Sequence, residues 1–251
     1  MALNRRRAEI LKLIQEDGHA KVQQLSQIFG VSEVTIRQDL EALEELGYVQ
    51  REHGGAFLKD VGSFAETGTL FNQEHLEEKQ EIALKAVNLI EEGDSIILDS
   101  GSTTTALASQ LLKFKSLTVI TNALNIAFIL GKNPGINLVV SGGEFKAPTL
   151  SLTGELAVDV FKKFHVKKLF LATAGISPEY NLTYPSFSDL VVKSAMIESA
   201  EKVFLLADSF KIGLTTFATL GPITRVHTLI TDSKISAEAV EKLQGLGVEV
   251  L

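Results

Sequence analysis

"VSEVTIRQDLEALEELGYVQREHGGA", Val31 to Ala56, decides how the first quarter of the chain is read. Ser32 is a natural N-cap. Ile36, Leu40, Leu43 and Leu46 then recur at the spacing of one helical face, and Gly47 supplies a stop. Val49 and Arg51 flank a short strand, Gly54-Gly55 is a turn signal, and Ala56-Phe57-Leu58 returns as a second strand. Two further helical patterns precede this stretch. "NRRRAEILKLIQEDG" sets Ile10, Leu11 and Ile14 at helical spacing before Gly18, and "KVQQLSQIFG" sets Val22, Leu25, Ile28 and Phe29 on one face before Gly30. Helix, short helix, tight turn, helix and hairpin is the plan of a winged helix-turn-helix.

Such a segment can serve as a small dimerisation bundle with Glu41–Glu45 as its solvated face, or as a reader of DNA. Net charge does not favour the second use: residues 1–58 hold seven Lys/Arg against nine Asp/Glu, a net of −2, whereas DNA-binding segments are usually basic. Position favours it. A helix-turn-helix inserts its second helix into the major groove, where the N-terminal residues reach base edges. Here that helix carries Glu33, Thr35, Arg37 and Gln38 opposite its apolar stripe, with Glu41, Glu44 and Glu45 toward the far end. Arg pairs with guanine and Gln with adenine, while Ser and Thr suit phosphates or either base. Arg51 and His53 sit on the wing beside Gly54 and Gly55, glycines that would let the backbone approach a phosphate. The candidate DNA contacts are therefore Ser32, Thr35, Arg37, Gln38, Arg51, His53, Gly54 and Gly55.

The chain has 251 residues, 45% hydrophobic and 22% charged, with a net charge of −7. That balance argues against nonspecific coating of nucleic acid or membrane but does not forbid a local basic contact. Cysteine is absent, which removes disulfides, thiolate metal sites and cysteine nucleophiles. No apolar stretch is long enough to span a bilayer. Lys12, Glu16 and Asp17 interrupt any signal-like region behind Arg5–Arg7, so a cytoplasmic location is expected. "KDVGSFAETGTLFNQ", residues 59–73, lacks periodicity and reads as a linker between a DNA-binding domain at 1–58 and a second domain at 74–251. In the latter, helical patterns alternate with apolar runs at 95–99, 117–121, 136–142, 167–173, 202–208 and 227–231, and "VEVL" closes the chain. The fold class is thus α/β: a small winged helix-turn-helix followed by a larger, mostly parallel α/β sheet domain.

The densest chemistry lies in "LDSGSTTTALA", Leu98–Ala108, where a strand gives way to a Gly-Ser-Thr loop and a helix start. Helix-start N–H groups with hydroxyls form an anion site, and Gly101 leaves room beside Ser102, Thr103, Thr104 and Thr105. The same residues can also simply cap a helix. No Gly-Lys-Ser/Thr follows, so this is not a Walker loop. Asp99 would repel phosphate and fits sugar hydroxyls better. Other strand-end loops could complete a pocket: Asn122, Gly142 and Gly143, Gly175, and Asp208 with Lys211, joining Asp99 and Ser100. Lys193 lies within a helical pattern and reads as solvated. The histidines show no metal-ligand spacing, and His165 reads as a solvated surface residue. No metal or cofactor is expected.

The V-S-x-x-T-I-R-x-D-L run with H-G-G-A resembles the DeoR family of bacterial transcriptional regulators, in which it forms the DNA-binding module. "LDSGSTTT", "VITN", "SGGEF", Thr153-Gly154, Ala174–Ile176, "KSAMI" and "LLADSFK" extend the resemblance over nearly the full length. Departures are Gln38 for the usual second Arg, Ser102 for Thr, Phe210 for Ser, and Val191-Val192 where a Glu commonly precedes the lysine. The resemblance implies a sensor domain similar to the ribose-5-phosphate isomerase fold and a phosphorylated sugar or related metabolite as effector. The expected function is a metabolite-responsive repressor of sugar metabolism genes. Its module type predicts a homo-oligomer, dimer or tetramer, that presents paired recognition helices to a palindromic double-stranded operator. An alternative is a sugar-phosphate isomerase with an accessory DNA-binding domain, although Asp99, Glu179, Asp189 and Asp208 fall in no motif for a catalytic base.

Overall fold

The computed structural model describes residues 4–17, 19–52, 54–58, 75–146 and 149–251; the expected linker 59–73 and His53 lie outside them. The chain divides into two compact units.

In the first, α1 (Arg5–Asp17), β1 (His19–Lys21), α2 (Val22–Phe29) and α3 (Glu33–Glu45) precede the hairpin β2 (Val49–Glu52) and β3 (Gly55–Leu58). The strands form an antiparallel sheet ordered β1-β3-β2. Gly30 ends α2 at φ 62, a left-handed conformation that costs glycine little, and the Ser26 hydroxyl donates to the Val31 carbonyl at 2.6 Å across the same turn. Ser32 caps α3, its oxygen accepting from the Thr35 N–H at 3.2 Å. Ile10, Ile14, Leu25, Ile36, Leu40, Leu43 and Val49 make the core, each worth roughly 1.5–3 kcal/mol through burial.

The apolar stripes hold at their centres and fail at their ends. Ile28 is 37% and Leu46 39% exposed, one in the last turn of α2 and the other at the C-cap of α3, whereas Phe29 still packs against the core. A charged residue occupies the buried stripe instead: Asp39 is buried and receives Arg6 Nε at 2.5 Å and Arg7 Nε at 2.8 Å. Burial alone would raise its pKa, yet the hydrogen bonds from the two guanidiniums hold the carboxyl below its ordinary value.

The second unit is a three-layer sandwich. Its strands β4 (Ser95–Leu98), β5 (Leu117–Thr121), β6 (Ile136–Val140), β9 (Val166–Ala172), β12 (Ala200–Leu206), β14 (Thr228–Ile230) and β15 (Glu249–Val250) form one sheet ordered β15-β14-β12-β9-β4-β5-β6. All its pairings are parallel. Helices α4 (Leu76–Val87), α5 (Ser102–Gln110) and α6 (Leu124–Leu130) supply Ile82, Leu107 and Ile126 to the face bearing Ile96, Leu98, Phe170 and Phe204. On the other face α7 (Glu155–Phe161), α8 (Phe187–Glu198) and α9 (Ala237–Gly245) bring Ala157, Val192 and Leu243 against Ile97, Leu169, Leu171 and Leu205. Because alternate strand residues face opposite layers, burial on both sides makes the strands continuous apolar runs.

Shorter strands were not anticipated. A second sheet, ordered β10-β11-β13, is built from β10 (Gly175–Ile176), β11 (Asn181–Tyr184) and β13 (Ala218–Pro222); β7 (Glu144–Lys146) pairs with β8 (Ser151–Thr153). Elements this short have too few residues to establish a period and exist through their partners.

Candidate functional site

In the first unit, α3 turns Glu33, Val34, Arg37, Gln38, Glu41 and Glu45 outward. The Thr35 and Ser32 hydroxyls lie 2.9 Å apart, so part of their capacity is used in capping. Gln38 is exposed, and its side chain makes no hydrogen bond among the described residues. The two cations expected at DNA are both paired within the chain. Arg37 meets Glu33 at 2.7 Å; Arg51 meets Glu44 at 2.8 Å and Glu41 at 3.6 Å. Gly54 turns the wing at φ 88, whereas a Cβ at Gly55 would collide with the Ala20 carbonyl of β1. The absence of a side chain at Gly55 therefore serves strand pairing rather than the phosphate approach expected from sequence.

Exposed ion pairs are worth little and exchange readily, so pairs of this kind would temper the affinity of either arginine for a polyanion without forbidding it. Glu33→Gln and Glu44→Gln should each strengthen binding to nonsequence-specific duplex at low salt. Each should steepen the log K against log salt slope by up to about one. Fluorescence anisotropy from low to moderate salt reads this directly. Unchanged slopes would mean that the pairs already open fully on DNA.

In the second unit, the order of the parallel strands places the β4 to β9 junction at the sheet's topological switch point, where open α/β sheets take ligands. Strand register aligns Leu98 with Thr121 and Phe170, and Ala172 with Leu206. The residues that follow, Asp99, Asn122, Thr173 and Asp208, consequently share one edge. Gly101 precedes α5 with no side-chain cap, leaving the helix's first N–H groups available to an anion. A Cβ on Gly101 would stand 2.6 Å from the Ala172 Cβ, so here too the glycine answers a close approach of neighbouring chain. Gly143 and Gly175 likewise press against the Thr153 and Leu214 carbonyls, while Gly142 turns freely at φ 73.

The hydroxyls of "STTT" have separate fates. Ser102 is half-buried at the helix start. Thr104 and Thr105 bond back to the Gly101 carbonyl at 3.0 and 2.6 Å, and Asn125 Nδ2 donates to Thr105 Oγ1 at 2.7 Å. Thr103 is buried with its hydroxyl unpartnered. Ser100 is buried beside Asp99.

Lys193, read from sequence as solvated, is buried, and its Nζ lies 2.5 Å from Asp99 Oδ2. The Ala172 N–H donates to the same oxygen at 3.0 Å. Burial pushes the Asp99 carboxyl above its ordinary pKa, opposed by the Lys193 charge. The Lys193 ammonium also sits 4.9 Å from the Tyr184 ring centroid. Tyr184 donates to the Ala172 carbonyl at 2.7 Å, and its own pKa is pushed well up by burial and by Asp99. Lys211 Nζ donates to the Thr173 carbonyl at 2.6 Å. Among the described residues, the buried polar atoms along this edge without a hydrogen-bond partner include Asp99 Oδ1, Thr103 Oγ1, Asn122 Oδ1, Asp208 Oδ1 and, at the end of β14, Thr231 Oγ1. Between Asp208 and Lys211, Phe210 stacks on His75 at 3.9 Å between ring centroids. His75, at the head of α4, holds a left-handed φ of 57.

Sequence reasoning missed Lys193, Tyr184 and Asn125. A lysine among Val191, Val192 and Ala195 was the one available signal of burial.

Residues 6–60 match the DeoR-like helix-turn-helix domain, and residues 74–233 match the DeoR C terminal sensor domain. The HTH-type transcriptional regulator GolR of Listeria innocua is 34% identical over 98% of this chain and 96% of its own. The lactose phosphotransferase system repressor of Streptococcus mutans is 35% identical over 92% and 93%. The glycerol-3-phosphate regulon repressor of Escherichia coli is 30% identical over 93% and 92%. A D-ribose-5-phosphate isomerase solved with phospho-erythronic acid aligns with a TM-score of 0.41 at 15% identity, over 54% of this chain and 53% of its own; the chain thus spans about half of that structure.

Proposed function

The chain belongs to the DeoR family of transcriptional regulators, and on that footing we propose that it is a cytoplasmic repressor of sugar metabolism genes whose operator affinity is set by a phosphorylated sugar at the carboxyl edge of the seven-stranded sheet. The division of labour is a reader at 1–58, a connector at 59–73 and a sensor at 74–251. Relatives aligned over nearly the whole chain are named regulators and repressors, and the isomerase alternative gives way: the protein is not an enzyme.

One observation carries the effector reading. The unpartnered oxygens of Asp99, Thr103, Asn122 and Asp208 share an edge with an uncapped helix start. A buried polar group without a partner costs about 1–3 kcal/mol, and sugar hydroxyls donate where carboxylate and amide oxygens accept. The phosphate belongs at the N-terminus of α5, with Ser102 and Thr103. Lys193 neutralises Asp99 nearby, which removes the repulsion that Asp99 alone would exert, and Lys211 adds a cation at the far side. The turn that bears Asp208 and Lys211 also bears Phe210 against His75, so a ligand there acts on the head of α4, where the chain enters the sensor.

A ligand changes DNA affinity only if it binds the two conformations unequally. A homo-oligomer, with recognition helices paired across a two-fold axis, would favour palindromic operators. The test is a thermal-shift screen against phosphosugars, followed by operator titration with each hit. Ligand at about a hundredfold above its Kd should stabilise the native state by about 2.7 kcal/mol and shift operator affinity. Phosphosugars that all leave operator affinity unchanged would remove the sensor role.

A further inference from the structure

Val34 is the second residue of α3 and is 60% exposed, an apolar branched side chain held in solvent beside the polar DNA candidates. Its direction follows from helix geometry. At 100° per residue, the buried set Ile36, Asp39, Leu40 and Leu43 centres on one direction, and Val34, Gln38, Glu41 and Glu45 lie nearly opposite it. Arg37 and Thr35 fall to the two flanks. The outermost line at the N-terminal end of the helix is therefore Val34 followed by Gln38, one turn apart. Val34 makes no contribution to the core of its unit, and Arg37, the one cation within α3, is engaged by Glu33.

We propose that Val34 is a specificity-determining residue that reads the C5-methyl group of a thymine in the operator, within two base-pair steps of the base contacted by Gln38. In the major groove the thymine methyl is the one apolar mark on a base edge, and small apolar side chains recognise it. Val34 and Gln38 are separated by about 6 Å along the helix axis, close to two base-pair steps of about 3.4 Å. The thymine accordingly lies within two steps of an adenine that pairs with the Gln38 amide. The branched side chain offers two methyl groups on a stiff χ1, so it presents a fixed apolar surface with little conformational freedom to lose. Glu41, next along the same line, disfavours phosphate and guanine and suits the cytosine amino group.

The proposal rests on the DNA-binding reading. Its test selects duplexes from a random library with the full chain, then replaces each thymine of the selected duplex in turn by deoxyuridine, which lacks only the methyl. At one thymine per half-site, the replacement should weaken binding by the wild-type protein about fourfold, the effect of one buried methyl. Val34→Ala should weaken binding to the thymine duplex by a similar factor and be insensitive to deoxyuridine at that position. The substitution removes no core contact and favours helix, so a thermal melt should match the wild type. Wild-type binding that is indifferent to every deoxyuridine would overturn the proposal. So would a Val34→Ala protein that keeps the wild-type methyl sensitivity. A library that yields no enriched duplex would instead overturn the DNA-binding reading, and this inference with it.

Discussion

Lys193→Met should destabilise the C-terminal unit by about 3–5 kcal/mol, the loss seen when one partner of a buried ion pair is removed, and should abolish the response to phosphosugars. Lys193 and Asp99 are both buried and lie 94 positions apart in sequence. Methionine approximates the lysine stem, so the variant deletes charge with little change of volume. Asp99 would then keep only neutral backbone donors, the N–H groups of Ala172 and Ser100. Burial already lifts the Asp99 pKa against the pull of Lys193; without the lysine it rises further. A carboxyl whose folded pKa is raised favours folding below its unfolded pKa, about 3.9, and loses that contribution as pH rises through the folded value. The deficit of Lys193→Met should therefore shrink toward acid and widen toward neutral pH, which urea unfolding at two pH values will show. Asp99→Asn with Lys193→Met removes both charges. It should restore most of the stability but not the ligand response, separating a structural pair from a binding one. Equal stability of Lys193→Met and wild type across pH would defeat the argument.

The second large effect concerns the reader. Asp39→Ala should lower the stability of the N-terminal unit by about 2–4 kcal/mol, since two hydrogen bonds to charged groups are lost and Arg6 and Arg7 are partly exposed. A unit near 60 residues is marginal to begin with, so the loss should melt it at temperatures where the sensor stays folded. Operator binding should fall with it, because Asp39 fixes the first turn of α1 to the recognition helix. Calorimetry should show one transition moving down and the other unmoved. The pH dependence has the opposite sign to that of Asp99. Asp39's pKa is held down, so its contribution is present above about 3.9 and is lost as pH falls through its folded value. Asp39→Asn should mimic the acid state at neutral pH. If calorimetry of Asp39→Ala shows both transitions in place, the buried pair is dispensable.

Much of this architecture is legible in the sequence. Ile36, Leu40 and Leu43 marked the recognition helix because a helix packed on one side needs apolar residues every three to four positions. Six of the seven strands of the large sheet were marked by apolar runs because the inner parallel strands are covered on both faces, whereas the edge strand β15 alternates and leaves Glu249 exposed. The loop Asp99–Thr105 was marked by residue type alone. Legibility failed at Ile28 and Leu46, where the period continued but the core did not. It failed again at β10, β11 and β13, whose residues become strands through pairing with segments far along the chain.

The sequence by itself determined the two fold classes, their order, and the loops on which chemistry could occur, because periodicity and turn chemistry are local. The tertiary structure decided which groups have partners. It neutralised Arg37 and Arg51 with Glu33 and Glu44, and turned two threonine hydroxyls onto the Gly101 carbonyl. It buried Lys193 against Asp99 and left Val34 in solvent. A side chain's charge, hydrogen bonding and exposure depend on distances in space between residues that sequence separation does not encode. For that reason the candidate lists could be read from the chain, while the free donors and acceptors within them could not.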